Sequence, residues 1–507
     1  MLEKPLYDMF LVELFLVIIQ FTYHYDKVFV LGADNVPHEH LKYYKKDLQE
    51  CHINEATCQH QKKCWGYEKD CKVEDYFSYP VCDDIHHGWA KTLEEQQLVF
   101  WNQADFGYVK KRLDTMKFIC KPVNEIDSSL KCSQNWDYCA ATNLYMDFRR
   151  KDFSINERFH ENFFNERELS GSCSINKDLI QKGVKHKGEL QSWYAELNTF
   201  STSEKNHIVD ETCDEVVTKP TIFMKLDAGV NMYHHFCDFL NLYASQHVNR
   251  SFSTDIFIVM WDTSSLPYGD IFPEVWNAFT RHPLKRLSDF AGKKVCFKDA
   301  MFAMLPRMVY GLFYNTPLVQ HCRKSGLFKA FSEHVLHRLN ITRSEYEEDA
   351  IRITLLKRST KYRKIINEEE LIGAMTRVKG IKVTPVDYKY REMNFLEQLK
   401  ISRNTDIFIG MHGAGLTHSL FLPDWGVLFE IYNTEDAGCY KDLAHLRGLK
   451  YLTWEHKELL FQQDKGHHPT LGEHPKFTNY AFNVDEFMRL LTIGIKHVLT
   501  KRPHSDV

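Results

Sequence analysis

The segment Thr405-Asp-Ile-Phe-Ile-Gly-Met-His-Gly-Ala-Gly-Leu-Thr-His418 constrains the fold more than any other part of the chain. Its apolar run, Ile407 to Ile409, is short and unbroken, as expected of a strand buried on both faces. Gly410, His412, Gly413 and Gly415 follow, then an apolar, helix-like run to Phe421 that Pro423 closes. A second apolar strand is predicted at Val427–Tyr432. Strand, glycine turn and helix start together form an anion cradle, because glycines let backbone N–H groups approach a phosphate and the helix end carries partial positive charge. His412 within the turn marks it as a ligand site rather than a plain turn.

The same alternation runs through the C-terminal three-fifths of the chain. Strands are predicted at Thr221–Leu226, Asp255–Trp261, around Lys294–Phe297, at Ile351–Leu356 and at Ile381–Val386. Helices are predicted at Asn231–Val248, Pro273–Thr280, Asn367–Val378, Phe395–Ile401 and Val484–Leu499. Such a pattern implies βαβ units and a mostly parallel α/β sheet. A charged stretch, Arg343-Ser-Glu-Tyr-Glu-Glu-Asp349, divides it into two doubly wound, Rossmann-like domains facing a cleft, spanning 201–342 and 343–507, and ligands of such sheets bind at the carboxyl ends of the strands. Residues 23–200 are polar, aromatic and cysteine-rich, with helical patterning over Thr92–Met116 and at Leu190–Glu196, where Trp193 reads as core. They are expected to form a disulfide-stapled N-terminal region.

Residues 1–22 carry an apolar run, Met9 to Phe21, too short to span a membrane comfortably and of the length of a signal-peptide core. A signal peptide is expected, with an uncleaved signal anchor or a buried helix as the alternatives. Of 14 cysteines, nine lie at or before Cys173, and none is spaced C-x-x-C, which disfavours zinc and redox sites and favours disulfides made in an oxidising lumen. The sequons Asn249-Arg-Ser251 and Asn340-Ile-Thr342 agree with entry into the secretory pathway. The tail His504-Ser-Asp-Val507 is a degraded version of a luminal retrieval signal. A net charge of −4 gives no reason to expect a nucleic-acid partner.

Three clusters are candidates for the cleft. Asn231, His234 and Asp238 recur at i, i+3 and i+7 after strand Thr221–Leu226, and an imidazole and a carboxylate one turn apart can serve as a general base and its orienter. Arg358 and Arg363 lie in the loop after strand Ile351–Leu356, where a pair of guanidinium groups can grip a diphosphate. The third cluster is the glycine turn, His412, Gly413 and Gly415, with Glu430 placed to bond the hydroxyls of a ribose or sugar. Together they point to a nucleotide-sugar transferase. The chain has no G-x-x-x-x-G-K-[ST] loop, no G-x-S-x-G and no Asp-x-Asp, which argues against P-loop kinases, serine hydrolases and transferases with a metal-chelating acidic pair.

Four segments are far more specific than these short patterns: Cys64-Trp-Gly-Tyr-Glu-Lys69, Phe223 to Phe239, Asp406 to His418 and Gly466 to Asn479. Through them the chain closely resembles the EGF domain-specific O-linked N-acetylglucosaminyltransferases of glycosyltransferase family 61, over most of its length from about Cys64 to His497. The resemblance implies a GT-B-like fold and an endoplasmic-reticulum enzyme. Its donor would be UDP-GlcNAc and its acceptor Ser or Thr in folded EGF-like repeats of extracellular proteins such as Notch-type receptors, with inversion. It also implies Asp238 as catalytic base or acceptor-orienting group with His234 beside it. Asn231, Arg358, Arg363, His412, Gly413, Gly415 and Glu430 would bind the donor. Relatives carry an acidic-aromatic-acidic triplet where this chain has Arg281-His282-Pro283. The usual acidic motif for a cation such as Mn2+ is thus absent, and metal-independent catalysis with arginines in the metal's role is expected. The same departure leaves an alternative, an inactive relative acting as a luminal folding factor that binds EGF repeats.

Overall fold

The computed structural model describes residues 64–69, 71–85, 90–185, 188–266, 268–308, 310–314, 316, 319–344, 350–432 and 438–503. The expected signal segment, Cys51, Cys58, most of the charged stretch 343–349 and the tail His504–Val507 lie outside the described residues.

The fold is mixed α/β, built on two main sheets. The first uses β1 (Lys117–Lys121), β2 (Ser129–Cys132), β3 (Cys139–Asp147), β4 (Thr221–Met224), β5 (Phe257–Met260), β6 (Lys285–Arg286) and β7 (Lys294–Phe302), with shorter strands at its margins. Its order is β6-β5-β4-β7-β3-β2-β1. Strands β6, β5, β4 and β7 are parallel, with Thr221 of β4 registered against Phe257 of β5 and Ala300 of β7. Strand β3 then pairs antiparallel with β7 along its full length, from Lys294 opposite Asp147 to Phe302 opposite Cys139. The cysteine-rich residues before 200 are therefore part of the same hydrogen-bonded sheet as β4 to β7, and no break in the sheet falls at residue 200.

The second sheet is entirely parallel. It contains β8 (Ile351–Leu356), β9 (Ile381–Val386), β10 (Ile407–Gly410), β11 (Val427–Glu430) and β12 (Lys450–Thr453) in the order β9-β8-β10-β11-β12. Every residue of β10 and β11 is buried, as an unbroken apolar run requires when both faces are covered.

Local sequence sets the helix boundaries. Helix α1 (Leu93–Ala104) starts at Thr92, whose hydroxyl accepts the Glu95 N–H at 3.2 Å. Helix α2 (Phe106–Thr115) starts at the buried Asp105. The same carboxylate accepts the N–H groups of Gly326 and Leu327, at 2.8 and 2.9 Å, and so also caps α4 (Gly326–Arg338). One side chain thus satisfies the orphan donors of two helices; burial pushes its pKa up to about 7 against the N–H bonds from Gly326, Leu327 and Phe106. Helix α3 (Met232–Asn249) is capped by Asn231 and ends in Arg250, which is left-handed at φ 54°. Helices α5 (Glu368–Thr376), α6 (Phe395–Arg403), α7 (Cys439–Arg447) and α8 (Val484–Lys501) serve the second sheet. The predicted helix at Leu190–Glu196 is only a turn, Tyr194–Leu197. Trp193 is core as expected, fully buried, with its indole N–H donated to the Ala303 carbonyl at 2.7 Å.

A continuous apolar cluster joins the first sheet, α3 and α4 to Phe408, Leu416, Leu420 and Tyr440 on the inner face of the second sheet. A separate cluster, including Ile409, Phe429 and Leu490, lies beneath α5 and α8 on the other face. Among the described residues, five disulfides are present: Cys64–Cys71, Cys82–Cys322, Cys120–Cys173, Cys132–Cys139 and Cys213–Cys296. No helix among them is long and apolar enough to cross a membrane. The Cys82–Cys322 bridge spans 240 residues of sequence, and long closed loops lose the most chain entropy when cross-linked. Replacing both cysteines with Ser is expected to lower the unfolding free energy by about 2–5 kcal/mol, read as the urea midpoint without reductant. An unchanged midpoint would refute a stabilising role for this bridge.

Candidate active site

Strand β4 ends at Met224, and the chain turns through Asp227 and Gly229 before α3 begins. Asp227 is the centre of this turn. Its Oδ2 lies 2.8 Å from His234 Nδ1 and accepts a bond from Arg307 Nε at 2.9 Å. Burial would raise the Asp227 pKa, but the bonds from His234 and Arg307 outweigh it and hold the carboxyl below its ordinary value. A histidine nitrogen facing a carboxylate carries the proton, which leaves Nε2 as the nitrogen able to take another. The His234 side chain is 23% exposed, so this imidazole can meet a substrate.

Asp238 does not sit beside His234 as expected from helical spacing. Its side chain is fully buried, its Oδ2 lies 2.9 Å from His235 Nδ1, and it accepts the backbone N–H of Asp227 at 3.2 Å. Buried in this way it cannot touch an acceptor hydroxyl. Its place is to hold the Asp227 turn and His235. Asp270 lies 3.4 Å from His235 Nε2 and accepts the indole N–H of Trp276 at 2.7 Å, closing the network. Asn231 is the cap of α3, its side-chain oxygen accepting the Tyr233 N–H at 3.1 Å.

The second wall is at the carboxyl ends of β8 and β10. Arg358 and Arg363 both donate to the carbonyl oxygen of His412, at 3.3 and 2.8 Å. Neither guanidinium has a carboxylate within ion-pair distance among the described residues, and Arg363 Nε is buried without a hydrogen-bond partner. Burial and then the neighbouring Arg363 lower the Arg358 pKa to about 10; burial also lowers that of Arg363. The arginine loop is pinned from outside: the Arg363 backbone N–H donates to Thr478 O at 2.7 Å and the Lys364 N–H to Asn479 Oδ1 at 2.9 Å, at the end of the Gly466–Asn479 segment. A Cβ at Gly413 would collide with the Arg358 guanidinium, and one at Gly415 would lie 2.7 Å from Leu356 Cδ2. The helix-like run is a 3-10 helix, Ala414–Phe421, so the positive charge of this wall comes mainly from the two arginines.

Glu430 is not available to a sugar. It is fully buried, with one oxygen 2.6 Å from His412 Nδ1 and the other accepting the Tyr451 hydroxyl at 2.5 Å. It fixes the His412 ring. The two walls adjoin through Tyr440 of α7, whose ring centroid lies 5.1 Å from that of His412 and 5.6 Å from that of Tyr233, the neighbour of His234.

Arg281-His282-Pro283 lies elsewhere. Arg281 and His282 contact Asp255, at 2.9 and 2.7 Å, and the Arg281 N–H donates to Thr254 O. Both acceptors precede β5, at the amino ends of the parallel strands, opposite the ends that carry Asp227. Among the described residues, no trio of potential metal ligands converges at the cleft. Of the two trios elsewhere, one has its two cysteines joined in a disulfide, and the other is ion-paired to Arg489.

The Glycosyltransferase 61 family profile matches residues 232–428, from the start of α3 into β11. A protein of Xenopus laevis called EGF domain-specific O-linked N-acetylglucosamine transferase is 55% identical over 485 residues, covering 94% of this chain and 91% of its own. The chain belongs to the EGF domain-specific O-linked N-acetylglucosamine transferase family. Similarly named proteins of Gallus gallus and Drosophila melanogaster are 54% and 46% identical, covering 92% and 87% of this chain and 90% and 85% of their own. The family expected from the four sequence segments is the family found. Sequence reading missed Asp227, Arg307, His235 and Tyr440. Asp227 was visible as the acidic residue of a turn after a buried strand, whereas Arg307 belongs to no motif.

Burial alone would lower the His235 pKa, but Asp238 and Asp270 outweigh it and raise it to about 9. A histidine whose folded pKa is raised stabilises the fold fully below its unfolded pKa, about 6.5, and loses that contribution as pH climbs through the folded value. The melting temperature of the native protein should therefore exceed that of His235→Gln most at pH 6 and by progressively less toward pH 10. A gap that widens over this range would contradict the assignment.

Proposed function

We propose that this chain is an inverting glycosyltransferase that moves N-acetylglucosamine from UDP-GlcNAc to Ser or Thr hydroxyls of folded EGF-like repeats, such as those of Notch-type receptors, in the lumen of the endoplasmic reticulum. Its two sheets act as the two Rossmann-like halves of a GT-B-like cleft. One observation carries this reading: an uncompensated arginine pair and a carboxylate-backed imidazole stand on adjoining walls, both at carboxyl ends of parallel strands. The names of the relatives supply the acceptor and the sugar; disulfides support an oxidising lumen.

The chemistry divides between the walls. His234, oriented by Asp227, takes the acceptor hydroxyl proton at Nε2 as that oxygen attacks the anomeric carbon. The bond from that carbon to the diphosphate oxygen breaks on the opposite face, which inverts the centre. Arg358 and Arg363 receive the charge that develops on the departing diphosphate, a stabilisation already oriented before the reaction begins. The glycine turn lets the backbone close on the nucleotide. No step requires a metal ion. Because Arg281–Pro283 is remote from both walls, the folding-factor alternative loses the feature that motivated it.

Purified protein incubated with UDP-GlcNAc and a folded EGF-like repeat should add one N-acetylhexosamine to the repeat, by intact-mass measurement, with or without chelator. No addition in either condition would refute the reading. His234→Gln should lower kcat by about 10²–10⁴-fold; full turnover would remove it from the base role. Gly413→Ala should weaken UDP-GlcNAc binding at least tenfold by displacing Arg358, with little change in melting temperature, and unchanged affinity would separate the turn from the donor.

A further inference from the structure

A second cavity, of about 590 Å³, opens beside the first wall. Its lining includes Lys111 of α2, Asn135, Lys185, Gln191 and Tyr310. Two contacts tie it to Asp227. Arg307, whose guanidinium holds Asp227, is three residues before Tyr310, and its N–H donates to the Leu190 carbonyl at 3.1 Å, next to Gln191. The 188–196 segment is itself locked to the end of β4. Lys225, fully buried, donates to the Glu189 carbonyl at 2.7 Å and pairs with the buried Glu196 at 2.5 Å. The cavity wall is therefore tied by hydrogen bonds to the His234–Asp227–Arg307 group.

The floor is neutral. Arg112 pairs with Asp137 at 3.0 Å, both nearly buried, and stacks 3.4 Å over the Tyr108 ring. Among the described residues, Asp137 is the one carboxylate lining the cavity, and it is paired with Arg112. Lys111 and Lys185 are exposed and have no ion-pair partner among the described residues. Carboxamides that can donate and accept, an exposed tyrosine ring and two uncompensated ammonium groups suit a polypeptide backbone bearing acidic side chains.

We infer that this cavity is an acceptor-docking site that selects an acidic segment of the protein acceptor flanking the hydroxyl to be modified. This rests on the transferase reading above and adds a specificity determinant to it, with Lys111 and Lys185 as the selecting charges.

The test measures binding by fluorescence anisotropy, so that it does not depend on turnover. The probes are a labelled folded EGF-like repeat with Asp or Glu near its acceptor Thr and the same repeat with those residues changed to Asn or Gln. Native protein should bind the acidic repeat about tenfold more tightly, the modest gain expected of two exposed charge pairs. Lys111→Glu/Lys185→Glu should abolish or reverse that preference while leaving UDP-GlcNAc hydrolysis without acceptor unchanged, and Tyr310→Ala should weaken both repeats alike. Equal preference in native and double-variant protein overturns the inference, as does a native preference for the neutral repeat or competition by free saccharides instead of acidic peptide. A native protein that adds no sugar in the mass assay yet shows the charge preference would refute the transferase reading while leaving the docking assignment standing.

Discussion

Two guanidinium groups share one carbonyl oxygen, that of His412, with no carboxylate of the described residues to neutralise them. Holding cations in a partly desolvated site is unfavourable: burial lowers the pKa of both arginines, and Arg363 lowers that of Arg358 further. The rest of the second wall is arranged to hold them there. Buried Glu430 fixes His412, Thr478 and Asn479 hold the arginine loop, and Gly413 has no side chain to push Arg358 away. A site that keeps two cations unneutralised in its free state gains most when an anion arrives or when negative charge develops. That asymmetry is what a diphosphate leaving group requires.

The first wall is organised by the opposite charge. Asp227 carries the contacts that matter: one carboxylate oxygen serves both His234 and Arg307, while its own N–H is held by Asp238. Asp238 and His235 are the hidden support of the His234–Asp227 pair, of which the imidazole is the part that reaches the surface. A buried carboxylate against a buried imidazole is tolerated because each faces the other and the Asp270 carboxylate lies 3.4 Å from the far ring nitrogen. The two walls adjoin at Tyr440, whose ring packs against Tyr233 of the first and His412 of the second.

Much of the architecture was legible in the chain. The strands Ile351–Leu356 and Ile381–Val386 fall at their predicted limits and α3 within a residue of its own, because buried parallel strands are short apolar runs and helix starts carry caps such as Asn231. The arginine loop and glycine turn were legible as well, since both follow strand ends directly. The Gly466–Asn479 segment was recognisable only as a family signature; its grip on Arg363 is a contact across more than a hundred residues.

Other features followed from tertiary contacts. Helical spacing placed Asn231, His234 and Asp238 on one face, which is true of the backbone, but spacing cannot say which of them another element covers. Packing buried Asp238 and left His234 accessible, with Asp227 as its partner. Glu430 ends a strand as predicted, yet Tyr451 from the adjacent strand and His412 from the turn take both its oxygens. The cysteine-rich segment reads as a separate layer because its composition differs, whereas β3 pairs with β7 and joins it to the main sheet. Sequence thus established the strands, the cationic loop and the family, all of which depend on residues close together along the chain. Which histidine is accessible, which carboxylate orients it and where the sheet ends depend on hydrogen bonds and burial between segments far apart in it, and those exist only once the chain has folded.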